Sequence, residues 1–210
     1  MPTDPSPAPW PGERPVVLAS ASAARADMLR AAGLNFTVRP ARIDEAAIRA
    51  SLEAGGAAPR DVADALAGMK AARIANGAPS ALVLGCDQIL DLDGRALGKP
   101  ATPAEAESQL RSLSGRTHRL WSAAVVFEDG RPVWRQVGRA ELTLHPLSPA
   151  FIGRYVGRNW ESIRGCVGGY RIEGEGIRLM AKVEGDWFTI IGLPLIELLT
   201  WLRARGDIAS

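Results

Sequence analysis

Two Asp-Gly pairs, Asp93-Gly94 and Asp129-Gly130, sit between apolar runs in the middle of the chain. A two-residue reversal of the primed type needs positive φ at both central positions, which Asp tolerates and Gly adopts without steric cost. The first pair therefore predicts a hairpin over residues 88–98. The second predicts strands over 119–127 and 132–144. Hairpins impose antiparallel pairing. The preceding third of the chain has a different rhythm. Residues 15–20, 34–38 and 81–86 are short apolar runs that read as strands, and helical patterns separate them. Ser22 is a good cap for a helix over 23–32 that Gly33 closes. Pro59 opens a second helical stretch that reaches residue 76, with Val62, Leu66 and Met69 at helical spacing. Strands alternating with helices favour parallel pairing. The two rhythms together predict an α/β fold with a mixed sheet.

The rest of the chain completes that picture. Helices are expected over 103–113 and from Pro149 to about residue 156. Tight loop and short strand are expected over the Gly-rich 164–176, a strand over 177–183, and an amphipathic helix over 195–205. Asp87 is expected at or just past the end of the 81–86 strand. At 210 residues, one domain or two lobes sharing a core fit the length. The five prolines among residues 1–14 read as a disordered tail, leaving 15–210 as a single two-lobed domain.

Composition excludes several classes. A net charge of +2 with scattered arginines gives no drive toward nucleic acid or an anionic membrane. The most apolar stretch, 187–202, is interrupted by Gly192, Pro194 and Glu197 and falls short of the roughly 20 residues a membrane span needs. No signal-peptide pattern is evident. Cys86 and Cys166 cannot build a disulfide framework and suit a reducing, cytoplasmic setting. Residues 94–100 mimic a P-loop but space their glycines wrongly and place Pro100 where the magnesium-binding hydroxyl belongs. His118 and His145, the two histidines, show no zinc-site spacing.

What remains is a set of polar groups at the ends of apolar elements. Ser20 and Ser22 precede a helix N-terminus with Arg25 one turn in, a combination that suits an anion, although plain helix capping explains it alone. Asp44-Glu45 offers two acids, with capping by Asp44 the simpler reading. Asp87 follows a buried strand, where ligands of α/β folds bind, yet turn aspartates are as common there. Lys99 is held between Gly98 and Pro100. Of 25 basic residues only three are lysines, Lys70, Lys99 and Lys182. Phosphoryl-transfer sites need cations for phosphate oxygens and carboxylates for a divalent metal. Arg25, Lys70 and Lys99 could supply the first, Glu45 and Asp87 the second.

The segments Leu18-Ala-Ser-Ala-Ser22 with Arg25, Ile43-Asp-Glu45, Met69-Lys-Ala71, Gly85-Cys-Asp-Gln88, Gly98-Lys-Pro100, Leu113-Ser-Gly115 with His118, Gly168-Gly-Tyr170 with Glu173-Gly174, and Gly192-Leu-Pro194 follow one another as in a known family. Over residues 16–205 the chain resembles the Maf (septum-formation-inhibitor-like) nucleotide pyrophosphatases. The resemblance implies a mixed, elongated, bent sheet flanked by helices around a deep cleft, usually in a homodimer. It implies hydrolysis of a nucleoside triphosphate to the monophosphate and pyrophosphate with Mg²⁺ or Mn²⁺. By motif, Asp87 would activate water and, with Glu45, bind the metal. Ser20, Ser22, Arg25, Lys70 and Lys99 would contact the triphosphate. Gln88 and Glu173 match the branch that resembles 7-methyl-GTP pyrophosphatases; the dTTP/UTP branch has Thr and Gln there. A non-catalytic nucleotide-binding regulator of septum formation is the rival reading. Ala23 and Ala24 depart from the family's usual Pro and basic residue.

Overall fold

A computed structural model describes residues 14–208, so the Pro-rich segment expected to form a tail lies outside the described residues except for Arg14. The strands are β1 (Val16–Leu18), β2 (Phe36–Val38), β3 (Leu82–Leu92), β4 (Arg95–Leu97), β5 (Thr117–Glu128), β6 (Arg131–Leu144) and β7 (Met180–Glu184). The helices are α1 (Ala23–Ala31), α2 (Glu45–Ala54), α3 (Pro59–Ala75), α4 (Pro103–Leu113), α5 (Pro149–Ile163), α6 (Trp187–Ile191) and α7 (Leu195–Arg205). The sheet has seven strands in the order β2-β1-β3-β5-β6-β7, with β4 also on β3. β1 runs parallel to β2 and β3, and every other pairing is antiparallel. The mixed α/β architecture follows the two rhythms of the sequence. Both Asp-Gly reversals have positive φ throughout: 52° and 85° at Asp93 and Gly94, 48° and 76° at Asp129 and Gly130.

β3 is the strand on which the fold turns. Its start, Leu82 to Leu84, pairs with β1, and its end, Leu90 to Leu92, pairs with β4. Between these, residues 85–89 keep β5 on one side and have no strand on the other. Asp87 therefore lies in the middle of a strand, not at its end as expected. The polar Asp87-Gln88 pair breaks the apolar run, but β5 continues opposite it through Asp87↔Ala123 and Gln88↔Ser122, which keeps the backbone extended.

Other boundaries also move. α5 continues to Ile163 rather than stopping near 156, because Ile152, Tyr155, Val156 and Ile163 all bury. The Gly-rich 164–176 forms 3-10 turns, and β7 starts at Met180, with Ile177 exposed in the turn before it. β2 is shorter than 34–38.

The core forms three clusters. Leu18, Leu29, Leu84, Leu198 and Leu202 fill the α1–α7 side of the parallel strands. Val17, Val62, Leu66 and Val83 fill the α3 side. Leu90, Leu110, Leu142 and Ile152 join the far end of β3 to α4 and α5. Gly85 fixes the second of these: a Cβ there would lie 2.1 Å from the Ala67 carbonyl oxygen and 2.6 Å from the Ala71 nitrogen. Its absence lets α3 lie directly on β3.

Candidate active site

The open edge of β3 forms the floor of a cleft of about 420 Å³. Ser20, Ser22, Arg25, Glu45, Lys70, Asp87, Gln88, Lys99 and Glu173 all line it. Residues separated by up to 153 positions are thus brought to one place by the meeting of the parallel and antiparallel halves.

Asp87 and Gln88, adjacent on a strand, face opposite sides of the sheet. On the α3 side the close approach at Gly85 sets Lys70, one residue before Ala71, over Asp87. Lys70 Nζ lies 2.6 Å from Asp87 Oδ1 and 2.9 Å from Glu45 Oε2. The Lys70 and Asp87 side chains are under a tenth exposed, whereas Glu45 is 48% exposed. Glu45 reaches this point because Asp44 caps α2, its Oδ1 accepting from the Ala47 N–H at 3.0 Å. The capping reading of Asp44 and the placement of Glu45 in the cleft therefore both apply. A buried ion pair survives only with good geometry and further polar partners, and removing one member strands the other.

The same carboxylates are the oxygen donors available to a divalent cation. Among the described residues no group of three or more His, Cys, Asp or Glu side chains forms a metal cage. Two carboxylates sharing one small cation, as they share the Lys70 ammonium, fit Mg²⁺ or Mn²⁺. Mg²⁺ in particular is held by one or two carboxylates and completes its shell with water and substrate phosphates.

On the neighbouring edge, Arg25 is buried. Its Nε donates to the Gly192 carbonyl at 2.8 Å, and its Nη1 to Ser20 Oγ and the Cys86 carbonyl at 3.2 Å each. The Cys86 carbonyl belongs to the unpaired stretch of β3, so the guanidinium stands in for a missing strand. Ser20 Oγ also accepts from the Ser22 N–H, and Ser22 Oγ caps α1 by accepting from the Arg25 N–H. Lys99 is exposed and lines the cleft; Gly98 before it is hemmed by Arg49, whose Nη1 would lie 2.3 Å from a Cβ there. Glu173 accepts from Arg171 Nε at 2.8 Å. Gln88 turns its amide nitrogen away from ligand duty, donating to Ser122, Thr189 and Ile190.

Two reactive groups just behind the cleft wall, Cys86 before Asp87 and His118 against Tyr170, are quiet. Burial pushes the Cys86 thiol up to about 11, so it is no thiolate nucleophile near neutral pH. Burial pulls His118 down to about 4, leaving it neutral, with Nε2 2.6 Å from the Tyr170 hydroxyl. Tyr170 of the Gly168-Gly-Tyr170 segment, Cys166, Ile190 and Ile191 also line the cleft. The apolar Ile190 and Ile191 carry no signal in the sequence that separates them from core.

An α/β fold whose cleft gathers a guanidinium, two ammonium groups and two convergent carboxylates defines a protein equipped for phosphate chemistry. The chain belongs to the Maf family: the family described as Maf-like protein matches residues 15–205. A protein of Sphingopyxis alaskensis named nucleoside triphosphate pyrophosphatase is 55% identical over 91% of this chain and 97% of its own length. One of Ruegeria pomeroyi with the same name is 50% identical over 92% and 98%. A Mesorhizobium japonicum protein named 7-methyl-GTP pyrophosphatase is 49% identical over 92% and 97%. Among solved structures, a HAM1 protein from Coxiella burnetii is a distant likeness, with 17% identity and a TM-score of 0.47 over 91% of this chain and 99% of that one.

Proposed function

We propose that the chain hydrolyses a nucleoside triphosphate at the α–β phosphoanhydride, adding water to give the nucleoside monophosphate and pyrophosphate, with 7-methyl-GTP as the preferred substrate. The observation that carries this reading is Lys70 held between Asp87 and Glu45 on the floor of a cleft that Arg25 and Lys99 also line. In it, Lys70 fixes Asp87 Oδ1, and Asp87 takes the proton from the attacking water. Arg25, Ser20, Ser22, Lys70 and Lys99 hold the triphosphate. Asp87 and Glu45 would hold Mg²⁺ or Mn²⁺, which when bound neutralises charge on the phosphate oxygens. A binder without turnover has no need for a buried carboxylate beside its anion site, since that carboxylate opposes binding.

The names of the relatives support the reaction, and the 7-methyl-GTP name of two of them supports the substrate. Glu173 adds chemical support, because a methylated guanine is cationic and an acid on the cleft wall suits it. The reading also takes the protein as a cytoplasmic homodimer without nucleic-acid or membrane partners; among the described residues no helix is long and apolar enough to cross a membrane. The test is pyrophosphate release from 7-methyl-GTP, GTP, dTTP and UTP with Mg²⁺ or Mn²⁺. Faster turnover of 7-methyl-GTP than of the pyrimidine nucleotides is expected, and the reverse order refutes the substrate assignment.

A further inference from the structure

The two lysines of the cleft are held in different ways. Lys70 is buried, and two carboxylates fix its ammonium. Lys99 is exposed, and its ammonium has no ion-pair or hydrogen-bond partner among the described residues. A lysine ammonium rides on a flexible four-carbon stem. Without a partner of its own, its reach into the cleft is set by the backbone that carries it.

That backbone is gripped by α4. Gln109 Nε2 donates to the Gly98 carbonyl at 3.2 Å. The Ala101 N–H donates to Glu105 Oε2 at 2.8 Å. Glu105 and Gln109 stand four residues apart, on one face of the helix, and Gln109 Nε2 lies 3.4 Å from Glu105 Oε1. The two bonds therefore fall on either side of Lys99. Pro100, between them, is buried and has a fixed φ. Arg49, on α2 with Glu45, sets its guanidinium against Gly98.

Helix capping accounts for part of this arrangement but not for Gln109. Thr102 already caps α4, accepting from the Glu105 N–H at 3.1 Å, and Gln109 lies beyond the first turn. Core packing does not account for it either. Gln109 is 8% exposed, beside Ala106, Leu110 and Leu113, which bury fully. Its Oε1 is buried with no hydrogen-bond partner among the described residues. An unpaired buried acceptor is destabilising, so an apolar side chain of the same length would suit the core better. What the amide nitrogen holds is the segment that presents Lys99.

We infer that Gln109 is a positioning residue: with Glu105 it clamps the backbone on both sides of Lys99 and so sets where the Lys99 ammonium meets the triphosphate. Neither Gln109 nor Glu105 is among the residues that line the cleft. The inference rests on the reading of Lys99 as a phosphate ligand.

A double-mutant cycle with Lys99 separates positioning from scaffolding. Gln109→Met keeps the length of the side chain and removes both the donor and the unpaired oxygen. kcat/KM is measured for the full chain with the nucleotide that wild type turns over fastest, beside the midpoint of chemical denaturation. Gln109→Met should lower kcat/KM about five- to tenfold without lowering the midpoint. In the Lys99→Ala background the same change should cost less than about twofold, because no ammonium is left to misplace. Glu105→Ala should follow the same pattern. Glu105→Gln, which keeps an oxygen for the Ala101 N–H, should restore kcat/KM to within about threefold of wild type. Equal losses in both backgrounds, or no loss from Gln109→Met alone, would overturn the inference and leave α4 as scaffold. Should Gln109→Met not fold, the exposed Glu105 carries the same comparison in both backgrounds. Wild-type kcat/KM in Lys99→Ala itself would instead overturn the reading of Lys99 as a phosphate ligand.

Discussion

The two sides of β3 at the cleft are built from different materials. Toward α3, Asp87 meets an ammonium that a second carboxylate also holds. Toward α6, Gln88 meets a hydroxyl and two carbonyls, with no charge among them. In the proposed reaction, charge stands where a polyanion and a proton are handled. Neutral hydrogen bonds are placed where a helix must stay put. A buried charge that loses its partner keeps its desolvation cost, whereas a neutral donor that disappears leaves only a carbonyl underused. The charged side should therefore respond to mutation far more sharply than the neutral side.

The largest effect is expected at Lys70. Lys70→Met leaves the buried Asp87 carboxylate without its cation and should lower unfolding stability by about 3 kcal/mol, read by chemical denaturation. Turnover should be lost with it. A stability change under 1 kcal/mol would mean that the pair is weakly coupled and would erase the contrast between the two sides.

A comparable cost can be imposed on a neutral region by acid. Burial holds His118 at about 4 in the folded protein, against about 6.5 when exposed. Between those values the unfolded chain binds the extra proton, so stability is full above pH 6.5 and falls as the pH drops. The slope should approach about 1.4 kcal/mol per pH unit, for a total of about 3 kcal/mol by pH 4. His118→Gln, which does not titrate, should remove that part of the slope in unfolding curves taken from pH 7 to pH 4. An unchanged slope would show that His118 is not protonated selectively on unfolding.

The smallest effects compare lysines. Lys99→Arg should cut turnover at least tenfold, about 1.4 kcal/mol of barrier, because a rigid fork replaces a compact rotatable ammonium. Lys182 pairs with Glu184 on an exposed strand, and Lys182→Arg should leave kcat/KM within twofold. Equal responses at the two positions would remove Lys99 from the site.

Legibility in the sequence divides along the same line as the two sides of β3. The charged residues announce themselves by type, and Ser22 caps the helix that follows it, as its place before 23–32 indicates. The Asp-Gly reversals fix two hairpins through local sterics alone. The contact of Gln88 with α6 was not legible, because the partners of Gln88 are backbone carbonyls about a hundred residues away, and any residue type carries one. The continuity of β3 through Asp87, which joins the 81–86 strand to the first arm of the 88–98 hairpin, was hidden for a related reason: a strand continues where a neighbour pairs with it, and β5 comes 30 residues later. Gly85 and Gly138 read as ordinary strand glycines until α3 and α6 lie on them.

The central claim is that Asp87 at the open edge of β3 activates water against a triphosphate. Pyrophosphate release from 7-methyl-GTP by Asp87→Asn, measured with Mg²⁺ beside wild type at matched folded concentration, tests it most directly. Asn keeps the size and can still accept from Lys70 but cannot serve as the base, so kcat should fall by about 10²- to 10⁴-fold with little change in KM. Turnover within tenfold of wild type would contradict the assignment of Asp87 and, with it, this reading of the cleft.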